Sequence, residues 1–94
     1  MKNGVIHFFK ALGNLKRLEI IELLLRQREL PLEEISRRID LSYKSISKHL
    51  LLLENRGIVV RRQRSLRVFY SIKGDRKTYL FNILEEVKKI IKAK

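Results

Sequence analysis

Residues 30–72 carry two helical patterns separated by a very short break and followed by a basic hairpin. This order restricts the possible folds more than any other feature of the chain. The segment 31–39 has helical periodicity, Asp40 and Leu41 interrupt it, and Ser42 is a good N-cap for a second helix. The apolar positions of the two helices are Leu32, Ile35, Ile39, Ile46, Leu50 and Leu53. Two helices joined by so short a turn predict a helix-turn-helix, whose second helix fits the major groove of DNA.

A basic hairpin follows the second of these helices. Gly57 is expected to end the helix, because glycine readily adopts the backbone conformations found at helix C-termini. Residues 58–62 and 67–72 have the composition of two strands, and the basic tip 63–66 lies between them. A hairpin directly after a helix-turn-helix is the arrangement of a winged helix-turn-helix. The predicted fold class is therefore mainly α with a small β-hairpin, comprising five helices plus a two-stranded wing.

The other three helices are predicted from the segments on either side of this unit. An apolar pattern indicates a short first helix that Gly13 closes, and Asn14 is a good cap for a second helix running to Arg28. Asp75 can cap a C-terminal helix that extends towards Ile91. The buried stripe of the helix after Asn14 is expected to be Leu18, Ile21, Leu24 and Leu25.

The first and last helices carry more apolar side chains than a domain of this size needs for its own core. The last helix has an apolar stripe close to heptad spacing. We therefore predict that these two helices form the interface of a homodimer. The predicted interface residues are Val5, Phe8, Phe9, Leu80, Ile83, Leu84, Val87 and Ile91. The alternative is that the last helix packs only against its own domain.

Positive charge is concentrated on the second helix of the pair and on the hairpin. The chain of 94 residues has a formal net charge of +12. Residues 41–74 contain eight basic side chains and one acidic side chain, whereas residues 1–40 contain eight and six. A surplus in this place favours a polyanionic partner, and we predict double-stranded DNA. Basic composition also occurs in ribosomal and heat-adapted proteins, so a solvated basic surface is the alternative.

Several classes of protein are disfavoured by what the sequence lacks. It has no cysteine, so disulfides and thiolate chemistry cannot operate. The N-terminal apolar run is interrupted by His7 and does not resemble a signal peptide, and no stretch approaches the roughly 18 apolar residues of a membrane span. No nucleophile–base pair or phosphate-binding glycine-rich loop points to an enzyme. We predict one domain, residues 1–94, that is cytoplasmic, has no membrane association and needs no cofactor.

Four segments of the chain resemble one family of winged helix-turn-helix proteins. The segments are 11–24 (ALGNLKRLEIIELL), 41–50 (LSYKSISKHL), 53–59 (LENRGIV) and 68–72 (VFYSI). Their order and spacing are similar to those of the ArsR family of repressors. The resemblance implies a cytoplasmic homodimer, built through the first and last helices, that binds operator DNA and regulates transcription.

The second helix of the pair is the candidate recognition helix. At about 100° per residue, Lys44, Ser47 and Lys48 lie opposite its apolar side. Long cations and short hydroxyls suit guanine acceptors and phosphate oxygens. The predicted DNA-binding residues of this helix are Ser42, Tyr43, Lys44, Ser45, Ser47, Lys48 and His49. His49 projects towards the inward edge, so packing or a phosphate contact is the alternative there, and Leu51 occupies a position where the family usually has a polar residue.

The hairpin is the second candidate DNA-binding element. Four arginines surround its tip, where they can reach the DNA backbone or minor groove. The predicted wing residues are Arg62, Arg64 and Arg67, because strand alternation points Arg61 and Arg62 to opposite faces. Family wings often turn through a glycine, and this wing has none.

The sequence argues against metal sensing, although several members of the family bind metals. Family members that bind metals at the first helix of the helix-turn-helix carry a thiolate pair there, and Leu30 and Leu32 occupy the matching positions. Members that bind zinc across the last helix use histidines and carboxylates, and this helix has no histidine. His7 and His49 lie on different elements and cannot complete a tetrahedral site alone. No metal ligand is therefore assigned.

Two further functions are compatible with the same fold. A winged helix can dock a protein or RNA, but an apolar or acidic recognition face would then be expected instead of a cationic one. A nonspecific, chromatin-like DNA-binding protein is the other alternative, since charge alone supplies only nonspecific affinity. The ratio of specific to nonspecific affinity distinguishes that protein from a regulator.

Overall fold

The computed structural model describes the backbone of residues 3–93 and the side chains of residues 4 and 6–90. Five α-helices and three strands follow one another along this part of the chain. They are α1 (Asn3–Leu12), α2 (Leu15–Arg26), β1 (Leu30–Pro31), α3 (Leu32–Ile39), α4 (Tyr43–Asn55), β2 (Val59–Arg64), β3 (Arg67–Ile72) and α5 (Lys77–Ala93). The predicted fold class is confirmed: α3 and α4 form the helix-turn-helix, and β2 and β3 form the wing.

The strands form one antiparallel sheet in the order β1-β3-β2. The wing hairpin pairs Val59 with Ile72 at its base and Arg64 with Arg67 at its tip. The short strand β1 pairs Leu30 with Tyr70 and was not predicted, because two residues are too few to give a periodic pattern. Pro31 fits there because an edge strand does not need every backbone N–H.

Side-chain caps fix the beginnings of α2 and α4. The Asn14 side chain accepts a hydrogen bond from the backbone N–H of Arg17 at 3.1 Å, as predicted. The helix α2 ends at Arg26, two residues before the predicted end, and Gln27 is its C-cap. Asp75 does not cap α5 directly, because it lies within a 3-10 turn (Gly74–Arg76) that precedes the helix.

A single apolar core joins the helix-turn-helix, the sheet and the last helix. The largest fully buried side chains are Ile20, Ile21, Leu24, Ile35, Ile46, Leu50, Leu53, Ile58 and Leu80. Full burial of one such side chain contributes roughly 1.5–3 kcal/mol, so this set holds α3, α4 and α5 in fixed relative positions. Leu18 and Leu25, predicted to be buried, are only partly buried at the edge of the core. No helix within residues 3–93 is long and apolar enough to span a membrane.

The junction between α4 and the wing depends on a glycine. Gly57 has φ +71°, a left-handed conformation that residues with a side chain rarely adopt. Its carbonyl accepts a hydrogen bond from Arg76 Nε at 3.2 Å, and the Arg76 guanidinium packs on the rings of Phe8 and Tyr79. Arg76 thereby connects the end of the recognition helix to α1 and α5.

Candidate DNA interface

Ser42 fixes the beginning of α4. Its hydroxyl oxygen accepts a hydrogen bond from the backbone N–H of Ser45, and its O–H donates to Ser45 Oγ, both at 3.1 Å. An N-cap of this kind stabilises a helix by about 1 kcal/mol. The predicted contact residues Ser42 and Ser45 thus serve the cap in the free protein. Ser42 is exposed and Ser45 is partly buried.

The outer face of α4 presents cations to solvent. Lys44 and Lys48 are exposed, and Ser47 is partly buried beside them. Ile46 and Leu50 lie on the opposite side and are fully buried, as the periodicity predicted. Within residues 3–93, neither lysine forms an ion pair with a carboxylate. Their ammonium groups are therefore available to phosphates or to base acceptors.

Tyr43 adds an aromatic side chain to the first turn of α4. It is 55% exposed, so the side chain is accessible to a partner. Its position beside the cap places it at the end of the helix that enters the major groove first in proteins of this fold. The predicted residues Tyr43, Lys44, Ser47 and Lys48 therefore share one accessible surface.

His49 lies at the inward edge of α4 and contacts Arg17 of α2. Its Nδ1 is 3.4 Å from Arg17 Nη1. Partial burial, together with the nearby guanidinium, lowers the pKa of His49 below its usual value, so the ring is neutral at pH 7. Arg17 is held in turn by the carbonyl of Ala11, which accepts from its Nε at 2.7 Å. His49 thus connects the recognition helix to α2, in agreement with the packing alternative.

The turn between α3 and α4 is held by side-chain and backbone conformation. Asp40 ends α3 in the left-handed conformation, with φ 59°. The Ser36 hydroxyl donates to the carbonyl of Leu41 at 2.7 Å. On the exposed side of α3, hydrogen bonds from Arg37 and Arg38 lower the pKa of Glu34 to about 2. Glu34 therefore remains ionised and neutralises part of the positive charge of α3.

The wing turns through two residues without a glycine. Ser65 adopts φ 56°, which supplies the left-handed conformation that glycine usually provides in such turns. Leu66 follows it at the tip and is 95% exposed. The turn is two residues long because the predicted tip residues Gln63 and Arg64 belong to β2.

Strand register places the predicted wing arginines on one face. Arg62 is opposite Phe69, and Arg64 is opposite Arg67. Side chains alternate along a strand, so Arg62 and Arg64 share a face with Arg67 and Phe69, whereas Arg61 shares the other face with Tyr70. All four arginines are exposed. The structure brings the predicted Arg62, Arg64 and Arg67 together and separates Arg61 from them.

Two of these arginines are held by carboxylates and by an aromatic ring. Arg64 pairs with Glu29 at 2.6 Å, and Arg67 pairs with Glu33 at 2.8 Å. Both guanidinium carbons lie over the Phe69 ring, at 5.0 and 5.2 Å from its centroid. The backbone N–H of Glu33 and the Arg67 guanidinium lower the pKa of the Glu33 carboxyl. The wing tip is therefore attached to the chain around β1 and α3.

Sequence patterns did not indicate Arg17, Glu29 or Glu33 as parts of this site. Glu29 and Arg64 are 35 residues apart, and Glu33 and Arg67 are 34 residues apart. Local periodicity gives no information about contacts at such separations. Only knowledge that β1 pairs with β3 would have placed these carboxylates beside the wing.

The residues predicted for the dimer interface differ in their burial within the chain. Leu80 and Leu84 have 1% and 7% exposure and belong to the core of the same chain, so they are not available to a second subunit. Phe8 is also partly buried, with its ring centroid 6.0 Å from that of Tyr79. Ile83 and Val87 are half-buried, and the side chains of Val5 and Ile91 lie outside the described residues. Phe9 remains 57% exposed.

The exposed apolar surface of the terminal helices is consequently different from the predicted one. Phe9 and Ile83 line the same groove between α1 and α5. Ile90 is 61% exposed and follows Ile83 by seven residues, so the two lie on one side of α5. Phe81 is 54% exposed but lies nine residues before Ile90, on the opposite side of the helix. The correction follows from the core, which already uses the stripe of Leu80 and Leu84.

The positions that the resemblance associates with metal binding are apolar and buried. Leu30 and Leu32 each have 7% exposure and pack in the core. Among the described residues, no group of three or more His, Cys, Asp or Glu side chains is placed so that it could hold a metal ion. His7 is exposed on α1.

A helix-turn-helix with an accessible cationic helix, followed by a basic wing, defines the class of winged helix-turn-helix DNA-binding proteins. Comparison with known proteins gives the family. Residues 14–60 match the model of the bacterial regulatory proteins of the arsR family. The transcriptional activator HlyU of Vibrio cholerae is 33% identical over 78 residues, covering 83% of this chain and 71% of HlyU.

Solved structures agree with this assignment. The homodimeric winged helix-turn-helix DNA-binding domain of a Mycobacterium bovis protein, determined by NMR, matches with a TM-score of 0.82 and 30% identity, covering 93% of this chain and 80% of that one. The structure of HlyU from Vibrio cholerae matches with a TM-score of 0.79 and 30% identity, over 93% and 97% of the two chains. The chain belongs to the ArsR family and is a DNA-binding transcriptional regulator. Proteins of this family are generally not enzymes.

Proposed function

We propose that this protein binds specific operator sequences as a homodimer and represses transcription from them without responding to metal ions. The observation that carries the proposal is the pair Lys44 and Lys48 on the outer face of α4, exposed and without a carboxylate partner within residues 3–93. Arg62, Arg64 and Arg67 add further exposed cations on the wing. The proposed location is the cytoplasm, where a bacterial regulator reaches its DNA.

The experiment is selection of genomic fragments on the purified protein, followed by sequencing. We expect enrichment of an inverted repeat whose half-sites are separated by about one helical turn, roughly 10 bp, or a multiple of it. Affinity is then compared between the enriched duplex and a scrambled duplex of the same composition. A ratio well above ten supports sequence-specific recognition. Equal affinities would indicate a nonspecific DNA-binding protein, and absence of DNA binding would favour a protein-interaction module.

The exposed apolar residues of α1 and α5 support the proposed homodimer. Phe9, Ile83 and Ile90 place large apolar side chains on one side of these helices. Large apolar side chains exposed on one side of a domain are typical of association sites. The Mycobacterium bovis domain, which has the same fold, is a homodimer. We propose that two copies of this chain meet at this surface.

A pair of substitutions on α5 tests the dimer. Ile90→Glu introduces a charge on the proposed interface, and Phe81→Glu introduces the same charge at similar exposure on the opposite side of the helix. Light scattering at micromolar concentration should give twice the chain mass of 11.2 kDa for the wild type and for Phe81→Glu. Ile90→Glu should shift the mass towards that of the monomer. A monomeric Phe81→Glu variant together with a dimeric Ile90→Glu variant would place the interface elsewhere.

The absence of response to metals is proposed from the chemistry of the side chains. Leu30 and Leu32 offer no ligand atoms, and the chain has no cysteine. Zinc titration followed by calorimetry should show no stoichiometric site of sub-micromolar affinity, and zinc should not release bound DNA. A tight site whose occupancy weakens DNA binding would contradict this part of the proposal.

Repression is proposed from the resemblance of the helix-turn-helix segments to those of ArsR repressors. The Vibrio cholerae relative is named an activator, so the direction of regulation needs its own measurement. The selected operator is placed at a reporter promoter in the presence and absence of the protein. Lower reporter output with the protein supports repression, and higher output would identify an activator.

A further inference from the structure

The outer face of α4 carries a large aliphatic side chain among its cations. Leu51 is 56% exposed, whereas the neighbouring Leu50 is fully buried. Leu51 follows Lys44 by seven residues and therefore points within roughly 20° of the same direction. It lies one helical turn beyond Ser47 and Lys48. Leu51 thus belongs to the recognition face and not to the core.

The charge around Leu51 determines which partner can cover it. Lys44 and Lys48 are exposed, and neither is paired with a carboxylate in the part of the chain that the structure describes. An apolar protein surface laid over Leu51 would also desolvate these ammonium groups, which is costly without compensating carboxylates. DNA satisfies both requirements, because its phosphates and base acceptors receive the lysines. The methyl group of thymine offers an apolar contact in the floor of the major groove.

We propose that Leu51 packs against the C5-methyl group of a thymine and so determines base preference at one position of each half-site. The proposal rests on the function proposed above, since it requires α4 to lie in the major groove. Leucine has no hydrogen-bonding group, so it distinguishes thymine by the methyl group alone. Removal of this methyl group should reduce affinity about fourfold in each half-site.

The test removes the methyl group from the DNA and the leucine from the protein. Each thymine of the selected operator is replaced in turn by uracil, which keeps the hydrogen-bonding pattern and lacks only the methyl group. For the wild type, one symmetric pair of positions should show roughly fifteenfold weaker binding when both half-sites are changed. Leu51→Ala should bind the unmodified operator more weakly and should no longer distinguish thymine from uracil at that pair.

Leu15→Ala is the matched control, because Leu15 is 66% exposed on α2 and does not belong to the recognition helix. It should retain the wild-type uracil profile. Circular dichroism checks that both variants are folded, which is expected because alanine favours helix. A flat uracil profile for the wild type, or an unchanged profile for Leu51→Ala, would overturn the inference while leaving operator recognition intact. Equal affinity of the wild type for operator and scrambled DNA would overturn both.

Discussion

The recognition helix and the wing both present cations, but the two regions hold them differently. Lys44 and Lys48 extend from α4 without carboxylate partners within residues 3–93. Arg64 and Arg67 are held by Glu29 and Glu33 and are stacked on Phe69. The charges of the two lysines are therefore available to DNA at once, whereas those of Arg64 and Arg67 become available only by exchange of partners.

This difference determines what each region contributes to binding. A good base contact in the major groove is worth about 1–3 kcal/mol of discrimination. An exposed ion pair is worth about 0–1 kcal/mol, so exchanging a carboxylate for a phosphate costs little and gains little at moderate salt. Sequence preference should therefore depend mainly on α4, and the salt dependence should depend substantially on the wing. Three predictions test this division, beginning with the largest expected effect.

Replacing Lys44 and Lys48 by glutamine should weaken operator binding the most. Each substitution should cost about 1–3 kcal/mol on the operator if the lysine makes a base contact, and it should relax preference at one position. The measurement is affinity for operator and scrambled duplexes. The control is Lys89→Gln, because Lys89 is exposed on α5 and belongs to neither the recognition helix nor the wing. Equal reductions on both duplexes would show that the lysines contact only phosphates.

Replacing wing arginines should weaken binding to all sequences by similar factors. Arg62→Gln, Arg64→Gln or Arg67→Gln should each reduce the salt dependence by about 0.9 for every phosphate that the arginine neutralises in each bound subunit. Arg61→Gln is the matched control, since Arg61 is adjacent in sequence and lies on the other face of the strand. The measurement is affinity across a salt series. A sequence-dependent reduction from Arg64→Gln would assign base reading to the wing.

Replacing Glu29 by glutamine should give the smallest effect, with the opposite sign. Arg64 would no longer have its carboxylate partner and would become available to a phosphate without exchange. Affinity for operator and scrambled DNA should rise together, by up to about fivefold. The control is Glu86→Gln on α5, whose carboxylate pairs with Lys89 of the same helix and not with a wing arginine. A fall in affinity would show that Glu29 orients Arg64 for DNA and does not compete with it.

Local patterns predicted most of the secondary structure. The caps Asn14 and Ser42 were predicted correctly because capping depends on a side chain and the backbone within three residues. The inward stripe of α4 was predicted correctly because the helical period fixes which side chains share a face. The 3-10 turn before α5 and the strand β1 were missed. Both are short elements, and β1 exists because β3 provides a partner for it.

The exposed face of α4 could be predicted because it depends on one helix, whereas the burial of the α5 stripe could not, because it depends on packing between helices. The outward-facing positions of α4 follow from periodicity alone. The exposed apolar residues of α5 did not, because an apolar stripe on this helix can face its own core or another subunit. Leu80 and Leu84 face the core, whereas Phe9 and Ile90 remain more than half exposed. Sequence spacing could not separate these two possibilities.

The sequence by itself determined the order of elements, the charge on the recognition helix and wing, and the lack of thiolate ligands, because these depend on residue identity and local geometry. Only the tertiary structure decided which partners the wing arginines have and which part of α5 remains exposed. Those features depend on contacts between residues more than 30 positions apart, such as Arg64 with Glu29. The free energy of such contacts comes from burial and pairing in the folded chain. These contacts therefore cannot be predicted from a local sequence pattern.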